Sequence, residues 1–115
     1  MFKLNPAPTF KATVDVSQPG DAPSLQLEVV FRHRGRAELV ALMDDIANSK
    51  QAGKTDAEAL GQIIETWVDV VDAAGAAVPY SSAALDRLLD AYPAAGADIL
   101  RAYWMELTKA KQKNS

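Results

Sequence analysis

The sequence predicts an α+β domain in which an N-terminal β-hairpin packs on about four α-helices, the whole being mostly helical. Three observations carry that prediction. Two early segments alternate apolar and polar residues with a period of two. The rest of the chain places its apolar residues at helical spacing, and capping and turn residues interrupt that second part at short intervals. A chain of 115 residues suffices for one domain with a single modest core. The domain is expected to occupy 1–115, with the hairpin over 9–32, a helical part over 36–111 and a flexible tail at 112–115.

The lead-in "MFKLNPAP" holds Pro6 and Pro8 and reads as irregular. "TFKATVDV" follows, with Phe10, Ala12, Val14 and Val16 on one side and Thr9, Lys11, Thr13 and Asp15 on the other, the pattern of a half-buried strand. "SQPGDAPS" is a turn signal whose Pro19-Gly20 suits a type II turn or a longer hairpin loop. "LQLEVVFR" alternates again, with Leu25, Leu27, Val29 and Phe31 facing one way, so the two segments read as a hairpin. A lone hairpin is marginal in water, so its apolar face requires cover.

The cover reads as helical. From Ala37 to about Gln51, Leu39, Val40, Leu42, Met43 and Ile46 form an apolar stripe, and Gly53 is expected to cap its end. Thr55 with Glu58 three residues on is a capping box. It opens a second expected helix with the face Leu60, Ile63, Ile64, Trp67, Val68 and Val71. "DAAGAAVPY" reads as a loop. Ser81 or Ser82 caps a third helix carrying Leu85, Leu88, Leu89 and Tyr92. Pro93 suits the first turn of a fourth helix, which runs through Ile99, Leu100, Tyr103, Trp104 and Leu107 to the basic, polar end "KAKQKNS".

Composition narrows the function classes. A net charge of -3 argues against a general binder of nucleic acid or anionic membrane. The absence of cysteine excludes thiolate chemistry and a disulfide frame, and is compatible with a reducing cytoplasm. The first ten residues lack the apolar stretch of a signal peptide, and no run approaches the ~20 apolar residues of a membrane helix, so a soluble protein is expected.

Catalytic constellations are missing. The single histidine, His33, sits in "RHRGR" and reads as a surface residue. Asp44 and Asp45 diverge on a helix and Asp69 and Asp72 lack a third ligand, so no metal site and no cofactor are expected. "AGKT" (52–55) resembles the end of a phosphate-binding loop. However, Asn48 stands where that loop needs its first glycine, and a helix precedes it instead of a strand. No enzyme is read here.

The candidates that remain are binding residues. Arg32, Arg34 and Arg36 form a basic cluster suited to a partner's carboxylates, and less suited to nucleic acid. Trp67 and Tyr92 read as core. Tyr103 and Trp104 are adjacent on one helix and point in different directions, which makes one of them, or Tyr80, a candidate for a protein interface.

The stretch "TWVDVVDAAGAAVPYSSAALDRLLDAYPAAGADILRAYWMEL" resembles the tail assembly chaperones of long-tailed bacteriophages, in particular the short form of HK97-like and related siphophages. The resemblance rests on Trp67-Val68, Val78-Pro79-Tyr80, Leu85, Leu88, Leu89, Tyr92-Pro93 and Tyr103, with the preceding hairpin, and covers most of the chain. It implies a non-enzymatic role: binding the tape-measure protein, keeping it soluble until tube subunits polymerise around it, and self-association into rings or spirals. It also implies a longer form, made by ribosomal frameshifting, that recruits tail-tube subunits. Such a protein would act in the host cytoplasm and be absent from the mature virion. Gln112-Lys113-Asn114 can be encoded as CAA AAA AAC, which contains a slippery heptamer. The rival readings are a structural head–tail connector or tail-tube component, and a small nucleic-acid-binding regulator using Arg32, Arg34 and Arg36. Oligomerisation is expected through the hairpin edge and the Tyr103 or Trp104 face.

Overall fold

A computed structural model of the chain describes residues 1–109. The expected tail at 112–115, the end of the helical part at 110–111 and the Gln112–Asn114 run lie outside the described residues. The elements follow in the order β1 (Thr9–Val16), β2 (Leu25–Arg32), α1 (Arg36–Ala47), α2 (Asp56–Leu60), β3 (Ile64–Val68), α3 (Ser82–Ala91) and α4 (Ala95–Thr108). Both hairpin strands stand where the alternation puts them, in a register that pairs Phe10 with Phe31 and Ala12 with Val29.

The fold is α+β, but it is not mostly helical: helices hold 38% of the described residues and strands 21%. The difference lies in the expected second helix. Its start is as read, with the Thr55 Oγ1 accepting the Glu58 N–H at 3.1 Å and the Glu58 carboxylate accepting the Thr55 N–H at 3.0 Å. The helix then stops at Leu60, and the chain continues as β3, antiparallel to β2.

A single extra residue explains both the strand and its disguise. Phe31 pairs with Ile64 but Val30 pairs with Thr66, so Glu65 is bulged out of the ladder. The bulge lets Ile64 and Trp67, three residues apart, both face the core. Leu60, Ile63, Ile64 and Trp67 thus satisfy the helical template i, i+3, i+4, i+7 while straddling a helix, a turn and a strand. The β-branched Ile63, Ile64, Thr66 and Val68 favour the extended form, and the open edge of β2 gives their backbone groups partners.

The result is a three-stranded sheet in the order β1-β2-β3, with β2 in the middle. The β2 edge of the hairpin is therefore covered along Glu28–Phe31. One face of the sheet supplies the core residues Val14, Leu27, Val29, Phe31, Ile64 and Trp67. Helix α4 lies against β1, and α3 lies chiefly against α2. Leu85, Ile99 and Tyr103 are completely buried. The opposite face carries Lys11, Thr13 and Asp15, which are exposed.

Two helix boundaries differ from expectation. Helix α1 ends at Ala47 instead of near Gln51, and Gly53, at φ 78°, reverses the loop that leads to Thr55. Pro93 precedes α4 instead of lying in its first turn. It occupies a turn closed by the Ala95 N–H donating to the Tyr92 carbonyl at 2.9 Å, and it holds Tyr92 extended. Ser81 caps α3 as read, accepting the Ala84 N–H at 3.0 Å.

Candidate binding cleft

Three helix ends that meet at one side of the helical layer leave an apolar cleft of about 460 Å³. The last turn of α1 contributes Ile46 and Ala47, α2 contributes Ala59 and Leu60, and the start of α4 contributes Gly96, Ala97 and Leu100, with Pro93 at the entrance. The local sequence explains its shape. "PAAGA" supplies small side chains where α4 begins, so α4 packs closely there against Leu60 and Leu89. The α1–α2 loop turns through Gly53 and is pinned by the Lys54 N–H donating to the Ser49 carbonyl at 2.9 Å. Lys50 and Asp56 place one charge of each sign at the rim. An apolar floor, small residues and a mixed polar rim are what an amphipathic helix needs for close approach.

Among the described residues, no three His, Asp or Glu side chains gather as a metal site would require, and no helix is long and apolar enough to cross a membrane. "AGKT" is a helix–helix connection ending in the Thr55 cap.

The residues singled out from sequence fall in different places. Tyr103 is fully buried, 5.1 Å from Phe31 and 6.1 Å from Phe10 between ring centres, and its hydroxyl donates to the Arg32 carbonyl at 2.7 Å. It is therefore not on the surface of the chain. Trp104 is 40% exposed and shares a helix face with Leu100, one turn away, so it extends the apolar side of α4 that lines the cleft. Tyr80 is half-buried and meets Trp67 edge to face at 5.2 Å. The Trp67 indole N–H donates to the Val78 carbonyl at 2.8 Å. Burial pushes the Tyr80 phenol up from its ordinary pKa.

The three arginines do not act as one patch. Arg32 pairs with Glu65 at 2.8 Å across β2 and β3. Arg34 turns inward, donating to the Gln62 carbonyl at 2.7 Å and to the Tyr103 hydroxyl at 3.3 Å, and so ties the sheet exit to the turn before β3. Arg36 is the exposed first residue of α1. Of the other nominated residues, Leu85 is buried, Leu88, Leu89 and Tyr92 pack partly buried against the core, Val68 lies half-buried on β3, and Pro79 and Pro93 are exposed.

Sequence reasoning missed Asp98, which is buried on α4. Its carboxylate accepts the Ser17 N–H at 2.9 Å and pairs with Arg101 at 3.1 Å, fastening the end of β1 to α4. The Ser17 hydrogen bond first, with help from Arg101, holds the Asp98 carboxyl below the usual carboxylate range. The small-residue run Ala94–Ala97 was a visible signal for the cleft, but its partners lie far away in sequence.

No curated protein and no solved structure matches the chain. The family model for phage tail assembly chaperones matches residues 1–114, nearly the whole sequence. The protein is therefore a member of the phage tail assembly chaperone family.

Proposed function

We propose that the protein binds helical segments of the tape-measure protein and keeps that chain soluble until tail-tube subunits polymerise around it, by reversible association and without chemistry. The observation that carries this reading is the open apolar cleft between α1, α2 and α4, whose floor of alanine, glycine and leucine suits an amphipathic helix. Membership of the chaperone family supports the reading from a separate direction. Within it, copies of the chain self-associate, a frameshifted longer form recruits tail-tube subunits, and the work is done in the host cytoplasm.

Co-expression with the tape-measure protein of the same phage tests the proposal. The wild-type chain is expected to hold that protein in the soluble fraction. Ala97→Arg, which puts a long charged side chain on an exposed cleft position, is expected to lose that effect while folding normally. Equal solubilisation by both would place binding elsewhere. The reading as a connector or tube component is separated by mass spectrometry of purified virions, in which a chaperone is absent. The gene tests the long form: a Lys113 codon of AAG removes the slippery run.

A further inference from the structure

The structure also leaves a gap in its own sheet. Strand β3 pairs with β2 only along Glu28–Phe31, and at Asp69, with a left-handed φ of 58°, the chain turns away. The start of β2, Leu25–Leu27, thus runs on beyond its neighbour. The direction of its free groups follows from the far end of the strand. The Arg32 N–H donates to the Ile63 carbonyl on the β3 side, and the next residue, His33, donates to the Pro8 carbonyl on the β1 side. Strand alternation then aims the N–H and C=O of Gln26 toward the β3 side, where no backbone group among the described residues answers them. Beneath this gap lies an apolar groove of about 300 Å³ lined by Leu25, Leu27, Val70, Val71, Leu88 and Tyr92, with Leu25 and Val71 exposed.

The same molecule displays a segment with the matching pattern. In the N-terminal arm, Phe2 and Leu4 are 87% and 90% exposed, with Lys3 between them. Laid as a short strand with Lys3 opposite Gln26, the arm would turn Phe2 and Leu4 onto the apolar groove and Lys3 onto the other face. Asp15, the cross-strand partner of Gln26, and Glu28, two residues along β2, share that other face, and Asp69 stands at the groove rim. None of these three carboxylates is in an ion pair among the described residues. The charge on Lys3 is therefore met.

The arm cannot reach the groove of its own chain. Pro8 is held beside His33, at the end of β1 opposite the gap. From Pro8 to the level of Asp15 is about 23 Å of strand, whereas the five residues from Lys3 to Pro8 span at most about 18 Å. We infer that the Phe2–Leu4 arm of one copy adds as a short strand beside Gln26 of a second copy. Arm and gap lie at opposite ends of the sheet, so such contacts either close reciprocally between two antiparallel copies or run head-to-tail into a ring or open spiral. The inference rests on the self-association in the proposed function and is independent of what the helical cleft binds.

The absence of cysteine makes the test clean. A chain with Lys3→Cys is mixed with a chain with Gln26→Cys under mild oxidation, and the mass of wild type and of the double variant Phe2→Asp/Leu4→Asp is followed by light scattering. The expected result is a disulfide between the two cysteine chains, together with association weakened at least about tenfold in the double variant, a loss that hydrophobic burial of two large side chains readily accounts for. Phe2 and Leu4 are exposed, so at concentrations where wild type is monomeric the double variant should melt as wild type does. An oligomer that persists in the double variant without the disulfide overturns the arm while leaving self-association intact. A wild-type monomer at every concentration overturns both.

Discussion

Asp98 and Tyr103 hold together parts of the chain that are far apart in sequence, and each does so with one polar group inside an apolar surround. The Asp98 carboxyl has a lower pKa folded than unfolded, where it titrates near ~4. Its contribution is therefore fully present above that unfolded value and is lost as pH falls through the folded one. Asp98→Asn is expected to cost about 1–2 kcal/mol at neutral pH, with the deficit closing in acid, as urea titrations at pH 7 and below pH 3 would show. Tyr103→Phe keeps the ring stack but strips the Arg32 carbonyl and Arg34 of a partner, for an expected loss of about 1–3 kcal/mol in the same assay. Neither role was legible in the sequence. A tyrosine at helical spacing announces that it packs, but Arg32 lies 71 residues away from it.

At the scale of elements, local signals read true where the period was unbroken and failed at one irregularity. The hairpin was legible because β1 alternates over eight residues and β2 does so except at Val30. Thr55 and Ser81 marked helix starts because a cap is a contact within four residues. Strand β3 was not legible, since the bulge at Glu65 gives it an apolar spacing of three that belongs equally to a helix. The bulge makes a sharp prediction. Glu65→Ala removes only an exposed ion pair and should change stability by less than about 1 kcal/mol. Inserting one alanine between Thr66 and Trp67 shifts the register by one and drives either Ile64 or Trp67 out of the core, for an expected loss of roughly 3 kcal/mol or more. Thermal melts of the two variants check the contrast.

Over the whole molecule, the sheet and the helical layer present separate surfaces, a cleft among helix ends that we propose for a foreign helix and a gap in the sheet that we propose for a second copy. The cleft was only partly legible. Trp104 was singled out and lies on the α4 face that leads to it, whereas Ile46, Leu60 and Leu100 come from three helices whose meeting no linear pattern displays. The two surfaces are expected to be separable, with Ala97→Arg losing the tape-measure protein but keeping the oligomer. Amide hydrogen exchange of the chain, alone and with soluble tape-measure protein, locates the surface that binds. Added protection is expected at the end of α1, in α2 and over the first two turns of α4. Protection confined to the outer face of the sheet, or none at saturating partner, would contradict binding at the cleft.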